Sequence, residues 1–130
     1  MNNDTNADTD TDYKSIPPII GQHCILDIKN IVKCDVLDTV DGIKKIMSDI
    51  AIKCGFHVVN EAGYQFHPRG ATWVYVLSES HMSFHTYPEY ASCYVDIFTC
   101  GTVRTDMSTI YSILQEHFGG CDIHLQIIMR

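Results

Sequence analysis

The sequence has no long apolar segment and few basic residues. Hydrophobic residues make up 45% of the 130 residues, but they are scattered, and no run approaches the roughly twenty that a membrane-spanning helix needs. Nine Lys and Arg stand against 16 Asp and Glu, which gives a net charge of −7. Because nucleic-acid affinity rests largely on basic contacts to phosphates, we expect no nucleic-acid partner. Because no segment is apolar over a sufficient length, we also expect no membrane partner.

The start of the sequence is polar and acidic. The first twelve residues, MNNDTNADTDTD, have neither the basic beginning nor the apolar middle of a secretory signal, so we expect a cytoplasmic protein. Residues 1–15 contain too few apolar side chains to offset the entropy of ordering and are expected to be disordered. Residues 16–130 are long enough for one core and too short for two, which predicts a single domain.

The six cysteines are well separated and form no CxxC pair. The sequence therefore suggests neither a zinc site nor a redox motif, and reduced thiols are the simplest interpretation. Free cysteine is among the most buried residue types, so most of them are expected to be small core residues.

Apolar periodicity predicts two helices and six strands. Apolar residues recur at steps of three and four over 35–54, with Gly55 as the stop, and again from the N-cap Asp106 to Gly119 and Gly120. Alternation or short apolar runs predict strands at 22–29, 56–60, 72–77, 82–86, 94–99 and 121–129. This order predicts an α/β (α+β) two-layer sandwich, a largely antiparallel sheet with two main helices packed on one face.

One segment concentrates polar and reactive side chains. Residues 77–101 read LSESHMSFHTYPEYASCYVDIFTCG. If 82–86 is a strand, His81, Ser83 and His85 share one face, so a histidine could lie near a hydroxyl, the pairing that nucleophilic serine chemistry needs.

Other interpretations of this segment remain open on the residues alone. The polar side chains could simply cover the solvent face of an ordinary sheet. His81 and His85 form an HxxxH pattern, but that pattern binds zinc when a helix puts both on one face, and strands are predicted here. A Ser-His-Asp hydrolase would need a GxSxG turn, which is absent.

The run LSESHMSFHTYPEY followed by DIFTCG closely resembles the processing and catalytic segment of the short, bacterial- and archaeal-type S-adenosylmethionine decarboxylases. The resemblance extends more weakly from about Gly21 to Met129 and includes FHPRGAT at 66–72. It implies that the chain cuts itself between Glu79 and Ser80. The serine hydroxyl would attack the preceding carbonyl, an ester would form, and β-elimination followed by hydrolysis would leave a pyruvoyl group on the new α chain.

The same resemblance implies the activity and the cofactor. A pyruvoyl group made from Ser80 would form a Schiff base with the amine of S-adenosylmethionine and accept electrons as carbon dioxide leaves. The product would be the aminopropyl donor of spermidine and other polyamine synthesis. No external cofactor would be required, neither a metal nor pyridoxal phosphate.

The resemblance also assigns roles to individual residues. His85 matches the histidine of self-processing, and Cys100 matches the cysteine that returns a proton to the substrate carbon. Glu89 is expected to bind the ribose hydroxyls, Phe66 to lie near the adenine, and Thr72 to supply a hydroxyl near the site.

A homodimer of processed chain pairs, with sites at or near the interface, is a further implication of the resemblance. Two rival functions remain. The first is a pyruvoyl-dependent arginine or ornithine decarboxylase on the same scaffold, because fold and motif define chemistry better than specificity. The second is a non-catalytic homologue that acts as a binding module.

Overall fold

The computed structural model describes residues 20–100 and 105–130, which form a six-stranded sheet with two helices. The strands are β1 (Gly21–Lys29), β2 (Val58–Gln65), β3 (Ala71–Leu77), β4 (Ser80–Tyr87), β5 (Ser92–Cys100) and β6 (Asp122–Met129), and the helices are α1 (Val40–Cys54) and α2 (Met107–Phe118). The strand order is β2-β3-β4-β5-β1-β6, and every neighbouring pair is antiparallel. The predicted two-layer architecture is confirmed.

Alternation along the central strands builds the core. On β1, Cys24, Leu26 and Ile28 are fully buried, as the sequence pattern predicts. On β4, Met82 and Phe84 are also fully buried. Because side chains alternate along a strand, the odd-numbered residues of β4, including His81 and His85, lie on the opposite face of the sheet.

The predicted start of the first helix at residue 35 is wrong. Residues Cys34–Leu37 form a separate single turn of 3₁₀ helix, and α1 begins at Val40. Thr39 interrupts the helix because its backbone is extended and its hydroxyl accepts a hydrogen bond from the Gly42 N–H at 3.0 Å. A Cβ on Gly42 would lie 2.3 Å from the Val36 carbonyl oxygen, so the two turns approach this closely only because residue 42 is glycine.

The helix ends agree with the sequence. Gly55 ends α1 with φ 73°, the left-handed conformation that glycine adopts without strain. Asp106 caps α2 by accepting a hydrogen bond from the Thr109 N–H, and Gly119 ends it with φ 65°. The predicted N-cap at Asp106 and the predicted helix ends at Gly55 and Gly119 are confirmed.

The edge strand β2 differs from the prediction, whereas the edge strand β6, Asp122–Met129, lies where a strand was predicted at 121–129. The strand predicted at 56–60 lies at Val58–Gln65, and nearly all of its side chains are exposed, so it has no buried face to reveal it. On β6, at the other edge, Ile127 is 45% exposed. The predicted disordered tail, 1–15, lies outside the described residues. Within 20–100 and 105–130, neither helix is long and apolar enough to cross a bilayer.

Candidate active site

The turn between β3 and β4 holds Ser80 in an unusual backbone conformation. Leu77 pairs with Ser80, so Ser78 and Glu79 form a two-residue hairpin turn. Such turns usually contain Gly or Asn, and this one contains neither. Ser80 has φ 146°, a value that L-residues rarely adopt and that costs about 1–3 kcal/mol. The Glu79–Ser80 bond therefore lies in strained backbone.

Hydrogen bonds fix Glu79 on both sides of this turn. Its carbonyl oxygen accepts a hydrogen bond from the Cys100 N–H at 2.8 Å. Its carboxylate accepts one from the His57 N–H at 3.0 Å and contacts His57 Nδ1 at 2.7 Å. The bonds from the His57 backbone and then from its ring lower the pKa of Glu79 to about 2. The Glu79 side chain is consequently ionised and held in place.

Ser80 and Cys100 lie at the same end of the sheet. Ser80 begins β4 and pairs with Thr99, the residue before Cys100 at the end of β5. The Cys100 residue is exposed. The Ser80 hydroxyl lies 3.5 Å from His81 Nδ1, the outer limit of a hydrogen bond. Glu79, Ser80 and Cys100 are called the cleavage group below.

A second group of predicted residues surrounds a cleft. The cleft has a volume of about 570 Å³, and its lining includes Phe66, His85 and Glu89. The rings of Phe66 and His85 are 5.8 Å apart between centroids. Thr72 pairs with His85 across β3 and β4, and its hydroxyl lies 2.5 Å from His85 Nδ1. Phe66, Thr72, His85 and Glu89 are called the cleft group below.

The two groups are separated within one chain. Ser80 and His85 are five residues apart on β4, which corresponds to about 16 Å at roughly 3.3 Å per residue. The nearest hydroxyl to His85 is therefore that of Thr72, and the Ser80 hydroxyl lies far beyond hydrogen-bond reach of it. The sequence pattern predicted a histidine near a hydroxyl on the face shared by His81, Ser83 and His85, whereas the hydroxyl beside His85 comes from Thr72 on the neighbouring strand β3.

The HxxxH alternative does not form a chelating pair. His81 and His85 lie on the same strand, about 13 Å apart. Across residues 20–100 and 105–130, no group of three or more His, Cys, Asp or Glu side chains is arranged to hold a metal ion.

Comparison with known proteins decides the family. The sequence profile described as "S-adenosylmethionine decarboxylase" matches residues 22–130. The chain belongs to the S-adenosylmethionine decarboxylase family. Curated relatives named "S-adenosylmethionine decarboxylase proenzyme" include one from Symbiobacterium thermophilum, 39% identical over 110 residues (85% of this chain, 82% of the relative). Another, from Methanococcus maripaludis, is 39% identical over 94 residues (72% of this chain, 76% of the relative).

A solved structure in the same family has the same fold. The adenosylmethionine decarboxylase from Aquifex aeolicus superimposes with a TM-score of 0.76 at 28% sequence identity, over 88% of this chain and 92% of that chain. This likeness supports the α+β sandwich as a property of the S-adenosylmethionine decarboxylase family.

Two residues that shape this decarboxylase-family site have no sequence signal. His57 anchors Glu79 from the segment between α1 and β2. Gln65 Nε2 donates to the carbonyls of Asp38 and Gly70 at 2.9 and 3.0 Å, which fixes the loop that carries Phe66. Both act through side-chain contacts to loops, and such contacts leave no periodic pattern.

Proposed function

We propose that this chain is a proenzyme that cuts itself between Glu79 and Ser80 and then decarboxylates S-adenosylmethionine, supplying the aminopropyl donor of polyamine synthesis. The observation that carries the proposal is the conformation of the cleavage group in this chain, which is a member of the family. Ser80 is strained with φ 146°, and the carbonyl that its hydroxyl would attack is bonded to the Cys100 N–H at 2.8 Å.

The cleavage chemistry follows from these contacts. The Ser80 hydroxyl oxygen bonds to the Glu79 carbonyl carbon, and the Cys100 N–H stabilises the negative charge that develops on the carbonyl oxygen. The C–N bond breaks as the Ser80 nitrogen takes a proton, which leaves an ester. Loss of the Ser80 Cα proton then expels the Glu79 carboxylate, and water displaces the nitrogen as ammonia to give the pyruvoyl group. Breaking the peptide bond also relieves the backbone strain.

In the processed enzyme, the pyruvoyl group would serve as the electron sink for loss of carbon dioxide. The remaining roles belong to side chains of this chain. Cys100 would return a proton to the substrate carbon from the end of β5, Phe66 would stack on the adenine, and the Glu89 carboxylate would accept hydrogen bonds from both ribose hydroxyls. Neither a metal nor pyridoxal phosphate has a part in this scheme.

We further propose that the working site combines two copies of the chain in a homodimer. A general base must come within about 3 Å of the proton it removes, yet His85 lies about 16 Å along the strand from Ser80. A two-fold interface contacts the same surface on both subunits. Facing the exposed sides of the two sheets would therefore allow the cleft group of one copy to meet the cleavage group of the other, twice per dimer.

Co-expression of two inactive variants tests this arrangement. Ser80→Ala and His85→Ala chains carrying different tags would be produced separately and together. In a mixed dimer, the His85→Ala chain retains Ser80 and receives His85 from its partner, so it should be cut only in the mixture. If instead His81 is the base within each chain, His85→Ala will be cut equally well alone.

The activity is tested by release of carbon dioxide. Purified, processed protein should release labelled carbon dioxide from carboxyl-labelled S-adenosylmethionine, and Ser80→Ala should not. Release from arginine or ornithine instead would support the rival decarboxylase. No release from any of the three would support the binding-module alternative. A cytoplasmic location stays a prediction from the sequence.

A further inference from the structure

We propose that His57 is a positioning residue for self-cleavage, holding the Glu79 side chain so that the Glu79–Ser80 bond keeps the geometry that the Ser80 hydroxyl attacks. This inference rests on the proposed cut at that bond. His57 lies outside both the cleavage group and the cleft group, and the family resemblance gave it no role.

Three contacts join His57 to the turn. The His57 N–H donates to Glu79 Oε1 at 3.0 Å, and His57 Nδ1 lies 2.7 Å from Glu79 Oε2. The His57 carbonyl oxygen accepts a hydrogen bond from the Ser78 N–H at 2.9 Å. A single residue therefore holds both central residues of the hairpin turn.

These contacts hold the Glu79 side chain, and a separate contact fixes the carbonyl of the bond to be cut. The Glu79 carbonyl oxygen is bonded to the Cys100 N–H on β5, while its carboxylate is bonded to His57. A residue held at its side chain and at its carbonyl cannot rotate its backbone freely. The strained φ of Ser80, 146°, can persist because the residue before it is fixed at both points.

The exposed fractions of the His57 and Glu79 side chains indicate that His57 acts on the turn and not on the core. The Glu79 side chain is 13% exposed, whereas the His57 side chain is 76% exposed. The imidazole therefore contributes little to packing, and its loss should leave the core intact. The ionised Glu79 carboxylate would lose one of its two His57 donors, and the turn would gain conformations in which the Ser80 hydroxyl does not face the carbonyl carbon.

Substitutions of His57 test the contact between its ring nitrogen Nδ1 and Glu79. His57→Ala and His57→Phe keep the backbone N–H but remove the ring donor, and Phe keeps an aromatic ring. His57→Asn carries an amide N–H near the position of Nδ1. His124→Ala removes another exposed histidine, on the edge strand β6, and serves as the matched control.

The experiment follows self-cleavage of newly made chains. Each full-length variant is synthesised in a short cell-free pulse, and the uncut and cut masses are followed under denaturing conditions. We expect His57→Ala and His57→Phe to be cut about 5- to 20-fold more slowly than the unsubstituted chain, because a charge-assisted hydrogen bond is lost. His57→Asn should be cut within about threefold of the unsubstituted rate, and His124→Ala should match it. In a Ser80→Ala background, His57→Ala and His57→Phe should lower the unfolding temperature only slightly, because each removes one hydrogen bond to the ionised Glu79 carboxylate, whereas His57→Asn and His124→Ala should leave it nearly unchanged.

The outcomes are distinguishable. Cutting of His57→Ala and His57→Phe at the unsubstituted rate would overturn the inference and leave the proposed function intact. Equal slowing of Ala, Phe and Asn variants together with a lower unfolding temperature would also overturn it, since His57 would then only stabilise the fold. If the unsubstituted chain is never cut, the proposed function fails and the inference fails with it.

Discussion

Replacing Thr72 by valine should slow self-cleavage without blocking it. The Thr72 hydroxyl is 2.5 Å from His85 Nδ1, so it fixes the plane of the imidazole, and in the tautomer whose Nδ1–H donates to Thr72 the Nε2 atom is the nitrogen that can take a proton. Valine has nearly the same shape but lacks the hydroxyl. The His85 ring would then be held only by neighbours such as Phe66 and Tyr87, whose centroids lie 5.8 and 4.6 Å from it.

The size of the effect follows from one hydrogen bond. A bond of this kind contributes about 0.5–1.5 kcal/mol net, which corresponds to a rate reduction of about 2- to 12-fold if it orients the base in the transition state. Complete loss of a general base, as in His85→Ala, should cost about 100- to 10,000-fold. Pulse synthesis followed by intact mass measurement at timed intervals gives both rates.

Thr72→Ser is the matched control because it keeps the hydroxyl and loses only a methyl group. It should be cut within about twofold of the unsubstituted rate, since the hydrogen bond to His85 can still form. Cutting of Thr72→Val at the unsubstituted rate, or equal slowing of the Ser and Val variants, would refute the orienting role.

Four further predictions concern stability, turnover, binding and pH. Thr86→Val should destabilise a Ser80→Ala background by about 2–4 kcal/mol in urea unfolding. The reason is that the buried Thr86 hydroxyl accepts a hydrogen bond from the Ala71 N–H at 2.9 Å and donates one to the Leu37 carbonyl at 2.8 Å. Thr86→Ser keeps the hydroxyl and should cost about 1 kcal/mol. Cys100→Ala should still be cut, since its backbone N–H remains, but should stop after few turnovers in a carbon dioxide assay. Phe66→Leu should raise KM for S-adenosylmethionine about 5- to 150-fold with little change in kcat, through lost stacking. Because the pKa of Glu79 is lowered to about 2, its ionised carboxylate stabilises the fold fully above its ordinary pKa, and this stabilisation is lost as pH falls towards 2. The difference in stability between Ser80→Ala and the double variant Ser80→Ala, Glu79→Gln should therefore shrink between pH 5 and pH 2.

Elements that bury one face could be predicted from the sequence, and elements exposed on both faces could not. The alternation on β1 and β4 reports burial against the helices, and Gly55, Asp106 and Gly119 mark helix ends through local backbone chemistry. The edge strand β2 has almost no buried side chain, so its true extent, Val58–Gln65, leaves no pattern.

The candidate site divides in the same way. Motif resemblance supplied the proposed roles of its residues, and strand alternation correctly predicted the shared face of His81, Ser83 and His85. The backbone conformation of Ser80 is set by contacts from His57 and Cys100, which are distant in sequence. The distance between Ser80 and His85 needed no long-range information, because five residues of extended strand already separate them beyond hydrogen-bond reach.

The most direct test of the central claim is the intact mass of the purified protein under denaturing conditions, compared with Ser80→Ala. The account predicts two fragments that meet between Glu79 and Ser80, with a pyruvoyl group blocking the start of the C-terminal fragment, and a variant that stays whole. A single uncut chain in both preparations would contradict the account.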